Sequence, residues 1–463
     1  MQSPFDIAAD LDTPVSTWLK LAPLKPRYLL ESVEGGVHLA RYSFLGFGAA
    51  LEFRLDADGL RAGSGQGARP AGRDELLNAL RATLASAPQL APVVPDLPFS
   101  GGLVGVSAYD LVRHFERLPQ APVHPDNPQV PEAAYVAAES LLVFDHLTRR
   151  IALLHAGSEA ERLRLRARVI ELLRGALPAA PVGGKQASAG QSLSREQFLQ
   201  AVAAAKASIS RGDVYQLVLS VQFTGTHNIP PFEAYRALRL LNPSPYMFFI
   251  DLGDIQVAGS SPEALVKLRR GHASLRPIAG TRPRGATPDQ DVAHEQSLLA
   301  DEKENAEHVM LVDLARNDLG RVAAAGTVHV EPYRSIERYS HVMHIVSGVQ
   351  GEIAPGRDAF DLFAAAFPAG TLVGAPKVRA MELIDELEPV RRGIYAGTVG
   401  YFASNGDMDQ AIAIRTLVFR GNTWSYQAGA GIVADSVPES EYNEVLAKSA
   451  ILREALKMAG EGL

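Results

Sequence analysis

The sequence predicts an α+β protein in which large antiparallel sheets pack together and helices cover their outer faces. Three observations carry that expectation. Short strand-like runs come in neighbouring pairs, the clearest being Gly397 to Phe402 and Gln410 to Phe419 around the hairpin signal Asn405-Gly406. Helical periodicities alternate with these pairs, the pattern of helices laid over antiparallel sheets. The composition, 47% hydrophobic and 21% charged over 463 residues, is that of a globular chain with one large core or several domains.

Taken in order, residues 1–180 form a mixed α/β region. Tyr28 to Ser32 and Arg41 to Gly46 flank a Gly35-Gly36 turn, which predicts two short strands. Gly101 to Phe115 opens on glycines and continues in a helix-like pattern. Ala133 to Leu154 alternates as paired strands would, and Arg162 to Leu177 reads as a helix. The stretch Pro178 to Leu193 is rich in Pro, Gly, Ala and Ser without apolar periodicity, so it predicts an exposed linker. A second region, 194–463, begins at Ser194, whose partner Gln197 three residues on predicts a capping box. Val214 to Phe223, Ile255 to Ser260, Ala264 to Leu268 and Ser425 to Val433 read as further strands.

The net charge of −7 and the lack of a basic block exclude nucleic acid as an expected partner. No apolar run approaches the ~20 residues that span a bilayer, so no membrane is expected. MQSPFDIAADLD has neither a basic start nor an apolar stretch, which predicts no secretory signal and a cytoplasmic protein. Cysteine is absent. Disulfides, zinc–thiolate sites and a thiol nucleophile are therefore excluded within this chain.

Two helices carry the most chemistry. In Asp301 to Gly320, Glu304 and Glu307 stand three apart, with His308 bordering the same side. In Pro438 to Glu454, Glu441 and Glu444 repeat that spacing, and Lys448 follows one turn later. Four carboxylates from two helices suit one hard cation such as Mg2+. Each pair taken alone better suits the solvated face of an amphipathic helix. Glycine loops can line the same site: Pro277 to Gly285, Phe367 to Thr371, Gly374 to Lys377 before a helix running to Glu388, and Gly429-Ala430-Gly431. Arg415, in an alternating strand, either faces solvent or holds a carboxylate in a two-pronged bond. His344 is a candidate acid or base, or a satisfied core histidine.

In chain order, PIAGTRPRG, DEKENAEHVMLVDLARNDLG, ERYSHVMHIVSGVQG, FPAGTLVGAPKVRAMELIDELEP, RRGIYAGTVGYF and QAGAGIVADSVPESEYNEVLAKS resemble the chorismate-utilising enzymes. Within that family the resemblance is greatest to the anthranilate synthase large-subunit branch. It covers Ser194 to Glu454, with LLES and RYSFLG supporting it upstream. The resemblance implies a Mg2+-dependent reaction on chorismate. Glu307 and Glu444 would hold the metal, and Glu304 and Glu441 would support it through water. Gly280, Thr281, Tyr395, Arg415, Gly429, Ala430, Gly431 and Lys448 would bind chorismate. Glu263 would protonate the departing C4 hydroxyl, and His344 with Thr371 would assist loss of pyruvate.

The same resemblance separates branches of the family. Relatives that add water carry a lysine where this chain has Gln216, and many aminodeoxychorismate synthases carry one where it has Ala279. Ammonia is then the expected nucleophile. A chain without cysteine cannot release it from glutamine by thiolate chemistry, so a separate glutamine amidotransferase subunit is the expected partner. Ser32 of LLES and Pro245, Tyr246 and Met247 of NPSPYM correspond to a pocket for L-tryptophan as inhibitor. An aminodeoxychorismate synthase and a silent tryptophan-binding regulator stand as the alternatives.

Overall fold

A computed structural model describes residues 4–32, 41–63, 65–119, 124, 129–179, 183–338 and 342–463. Its central fact is one long antiparallel ladder through which both sequence regions run. Pro26–Glu31 pairs with Tyr42–Asp56, and that 15-residue strand pairs with Ala133–Asp145. The Gly35-Gly36 turn expected between the first two lies outside the described residues. Pro26–Glu31 is bonded on its other side to Tyr246–Asp251. Ala133–Asp145 is bonded to Gly102–Ser107, which in turn pairs with Thr398–Ala403. Strands from before residue 180 thus sit in the middle of the ladder, with later strands on both flanks.

From Tyr246–Asp251 one arm continues through Ile255–Ser261, Thr416–Arg420, Thr423–Ile432 and Gln216–His227. The other arm continues from Thr398–Ala403 through Met408–Ile412, Ala264–Arg269, His272–Leu275 and Val349–Glu352. Buried side chains of both arms and of the strands between them, among them Tyr28, Val136, Phe248, Val257 and Val399, meet with Phe99 in one apolar core. On the outer faces, Trp18, Tyr235, Leu456 and Phe198 pack from helices onto one arm, and Leu319 and Phe363 pack onto the other. Antiparallel sheets under outer helices are what the pattern predicted.

Three local expectations are corrected. Gly101 to Phe115 is a strand, Gly102–Ser107, followed by a 3-10 turn, Tyr109–His114. Every residue of that strand is buried, so no alternation betrays it, and a Cβ on Gly105 would stand 2.0 Å from the carbonyl oxygen of Ala134. The expected linker contains an edge strand, Gln186–Gln191, added to Gln216–His227 by backbone bonds that need no apolar side chains. The run Gln410 to Phe419 is broken. Met408–Ile412 belongs to one arm and Thr416–Arg420 to the other, and the chain crosses between them with Arg415 at φ 49°. Ser194 caps Arg195–Ser210 with the predicted box.

Because both flanks of the early strands are occupied, a fragment of residues 194–463 is expected to lose cooperative folding. Thermal denaturation followed by circular dichroism compares it with the whole chain. A fragment that melts as sharply as the parent would sink the view of one folding unit.

Candidate active site

The site is assembled where three structural units face one another. A three-stranded sheet supplies the first: Ile278–Pro283 pairs with Val342–Val346, which pairs with Ser335–Arg338. Tyr339, Ser340 and His341 lie outside the described residues. Gly280, at φ +78°, turns its carbonyl oxygen to His344, whose Nδ1 lies 3.1 Å away. The Thr281 hydroxyl is 3.0 Å from the same nitrogen. A carbonyl only accepts, so Nδ1 carries the proton and the lone pair resides on Nε2. Burial, before any other cause, lowers the pKa of His344, and the positive charge of Arg415 adds to that. The imidazole is therefore neutral and basic at neutral pH.

The helix Glu302–Gly320 is the second unit, capped by Asp301, whose carboxylate accepts from the backbone of Lys303 and Glu304. Its buried stripe is Leu311, Val312, Ala315 and Leu319, joined by His308. That histidine turns inward to the Ser347 hydroxyl at 2.7 Å, and burial pushes it down to about 4. His308 therefore leaves the acidic face it was expected to border. Glu304 lies 3.5 Å from Arg282. Glu307 is half-buried, and its pKa is raised by burial first and then by the charges of Glu304 and Glu444.

The last helix, Pro438–Glu461, follows directly from the strand Thr423–Ile432. Lys448 bonds Glu444 at 2.7 Å and the Gly429 carbonyl oxygen at 3.2 Å. Its charge also reaches Glu263 and Glu307, lowering the pKa of each. Tyr395 is buried with its hydroxyl against Gly429, where an added Cβ would lie 2.7 Å away. Gln216 lays its amide along Gly431 in the same manner, at 2.6 Å. Gly429 to Gly431 thus presents bare backbone between two polar side chains.

Glu263 sits between these units. Its carboxylate accepts from the Thr371 hydroxyl at 3.1 Å, so Thr371 serves Glu263 while Thr281 serves His344. Burial pushes Glu263 up to about 7, against the opposing pull of Thr371 and Lys448. A carboxyl near neutrality is a proton donor ready for use.

The four helix carboxylates do not close on one point. Among the described residues, no three acidic or histidine side chains converge as a metal site. Two protein carboxylates completed by waters and substrate oxygens suit Mg2+, and Glu307 stands close enough to Glu304 and Glu444 to feel the charge of each. The residues fit that ion.

Away from this centre, Ser32, Pro245, Tyr246 and Met247 line one cavity of about 1360 Å³. Tyr246 donates to Asp409 at 3.0 Å, and Lys267 bonds Asp409 at 3.1 Å while lying over the Tyr246 ring. Neither Lys267 nor Asp409 was foreseen. Both stand in strands that read as ordinary alternation, and only the register joins them, since Lys267 is paired with Asp409.

Comparison with known proteins decides the family, because the chorismate binding enzyme profile matches residues 25–454. The chain belongs to the chorismate binding enzymes. Family members resemble it along nearly its whole length. It is 47% identical to anthranilate synthase component 1 of Thermus thermophilus, covering 98% of this chain and 97% of that one. It is 44% identical to the component 1 of Pseudomonas aeruginosa, covering 99% and 96%. Among solved structures, anthranilate synthase component I of Streptococcus pneumoniae matches with TM-score 0.79 and 36% identity over 89% of this chain and 92% of that one. A menaquinone-specific isochorismate synthase of Escherichia coli shares the fold of this chorismate binding enzyme, with TM-score 0.71 at 20% identity over 96% of this chain and 92% of that one.

The folded chain holds a proton on Glu263 up to about pH 7, whereas the unfolded carboxyl releases it near its ordinary value of 4.5. Between those values the folded state binds more protons, so stability falls as pH rises through the window and stays lowered above it. Glu263→Gln removes that dependence. Its stability relative to the parent is expected to improve by ~3 kcal/mol from pH 5 to pH 8, read by urea unfolding. An offset that is the same at both pH values would contradict a buried, proton-holding Glu263.

Proposed function

We propose that this chain is the chorismate-converting component of a cytoplasmic anthranilate synthase. It joins chorismate and ammonia to give anthranilate, pyruvate and water, the first step of tryptophan biosynthesis. One observation carries the reading at the level of chemistry: a half-buried carboxyl with pKa about 7 is oriented by a hydroxyl and placed beside a lysine and bare glycine backbone. The relatives named above support the choice of reaction.

Glu263 gives its proton to the C4 hydroxyl as the C4–O bond breaks, which turns a poor leaving group into water. Thr371 aims the carboxyl. The nitrogen lone pair of ammonia forms the new bond at C2, and the ammonium so formed sheds one proton, which replaces the one Glu263 gave up. His344, neutral and with its lone pair on Nε2, takes the C2 proton as the enolpyruvyl C–O bond breaks and the ring becomes aromatic. The group leaves as the enolate of pyruvate, which takes a proton at its methylene carbon, and the proton held by His344 is thereby accounted for. Arg415, Tyr395, Lys448 and the Gly429 to Gly431 backbone hold the substrate. Glu307 and Glu444 would hold Mg2+, with Glu304 and Glu441 supporting through water. Bound there, Mg2+ neutralises the ring carboxylate and makes the ring a better electrophile.

Ammonia reaches the site from a separate glutamine amidotransferase subunit, since the chain has no cysteine for thiolate chemistry. Purified chain with chorismate, ammonium and Mg2+ is expected to release fluorescent anthranilate and an equal amount of pyruvate, and a chelator to abolish both. Glu263→Gln should lower turnover about 10²–10⁴-fold with folding intact. Aminodeoxychorismate without pyruvate would transfer the chain to another branch.

L-tryptophan acts as inhibitor from the cavity lined by Ser32, Pro245, Tyr246 and Met247. That cavity also touches Ile278 and Ile336 of the three-stranded sheet bearing Gly280, Thr281 and His344, so an occupant can bias the site through that sheet. Saturating tryptophan is expected to raise the KM for chorismate at least several-fold, and Met247→Ala to blunt the effect. Activity unchanged by tryptophan would remove the regulatory assignment.

A further inference from the structure

Behind the substrate-facing wall lies a buried ion pair with no direct part in the chemistry. Glu388 and Arg392, side chains 3% and 1% exposed, bond each other through two contacts of 2.7 and 2.9 Å. Arg392 also donates to the carbonyl oxygen of Leu372 at 2.7 Å and to that of Val218 at 2.9 Å. Its guanidinium lies over the rings of Tyr109 and Tyr395, at 4.9 and 5.7 Å. The Glu388 carboxylate accepts from the backbone N–H and the hydroxyl of Ser220, at 2.9 and 2.8 Å. Gln427 donates to that hydroxyl in turn.

Each of these partners leads to the site by one step. Leu372 follows Thr371, which orients Glu263. Val218 and Ser220 stand opposite Gly431 and Gly429 in the ladder. Tyr395 rests on Gly429. We propose that Arg392, clamped by Glu388, is a positioning residue that locks the Thr371 turn, the Gly429 to Gly431 strand and Tyr395 into one rigid wall. This rests on the reading of the site given above. Desolvation consumes most of the attraction within such a pair, so apolar residues would stabilise the fold as well. What apolar residues cannot supply is a planar fork holding three backbone or ring elements at fixed angles.

The test uses the full chain with chorismate, Mg2+ and ammonium. Arg392→Lys keeps the charge but replaces the fork with a point donor. It is expected to lower kcat on the order of 100-fold, more than it raises KM, because the proton donor and the bound ring lose their mutual alignment. Losing the Thr371 bond also moves the alkaline limb of the pH–rate profile to higher pH, as Thr371→Val does alone. Adding Thr371→Val to Arg392→Lys should then move the limb no further. If Arg392→Lys does not fold, the double variant Glu388→Met/Arg392→Met, which leaves no unpaired charge, is measured in the same way. Parental kcat and limb in a folded variant, or full additivity with Thr371→Val, would overturn the proposal. Failure of both variants to fold would make the pair a folding requirement and overturn it too. A parent chain that makes no anthranilate overturns the functional reading first.

Discussion

The register between Gln216–His227 and Thr423–Ile432 is the constraint on which the rest depends. Ten consecutive pairs fix it, from Leu217 opposite Ile432 to Thr226 opposite Thr423. The last helix continues from the end of that second strand, so the register decides where Glu444 and Lys448 stand. Lys448 then closes the circuit by bonding back to Gly429. A slip of one residue would turn every side chain of the strand to the other face and carry the helix with it. The glycines at 429 and 431 tolerate no side chain, because a Cβ would meet the Tyr395 hydroxyl or the Gln216 amide within 2.7 Å. Register, bare backbone and helix placement are therefore one requirement rather than three.

A second constraint follows from the ladder's continuity. Early strands stand between the two arms, and the chain crosses from arm to arm at Ala413 to Arg415. Arg415 adopts a left-handed conformation that costs a non-glycine residue of order 1 kcal/mol. The surrounding pairings over-determine it, with Ser260 bonding its carbonyl oxygen and Ala413 bonding Gly397. The strain buys a cation placed beside His344 instead of in solvent. Here a side chain is aimed by a topological crossing, not by strand alternation.

That crossing marks the limit of what the sequence disclosed. The antiparallel architecture, the Ser194 cap and both acidic helices were legible, because periodicity and caps are local properties, whereas Thr371, expected to act with His344, instead bonds Glu263. The strand Gly102–Ser107 was not, since a segment buried on both faces shows no alternation. Gln186–Gln191 was hidden because an edge strand is held by its backbone alone. His308 shared helical phase with the acidic pair, yet a serine in a distant loop, Ser347, drew it into the core. Lys267 with Asp409 and Glu388 with Arg392 gain meaning only once register and burial are known.

The electrostatics of the centre point in one direction. Glu263 and Glu307 are raised, His344 is lowered, and burial is the leading cause in each case. Each shift favours the uncharged form, so under the proposed reaction, which gives one proton and takes another, Glu263 and His344 stay near the point of exchange. A water nucleophile would demand a base as well, and the amide of Gln216, which lies against Gly431, cannot remove a proton. Ammonia brings its own lone pair and needs no such base. Desolvation that would be a liability for a hydrolytic site suits the proposed reaction, whose nucleophile and acid both act in their neutral forms.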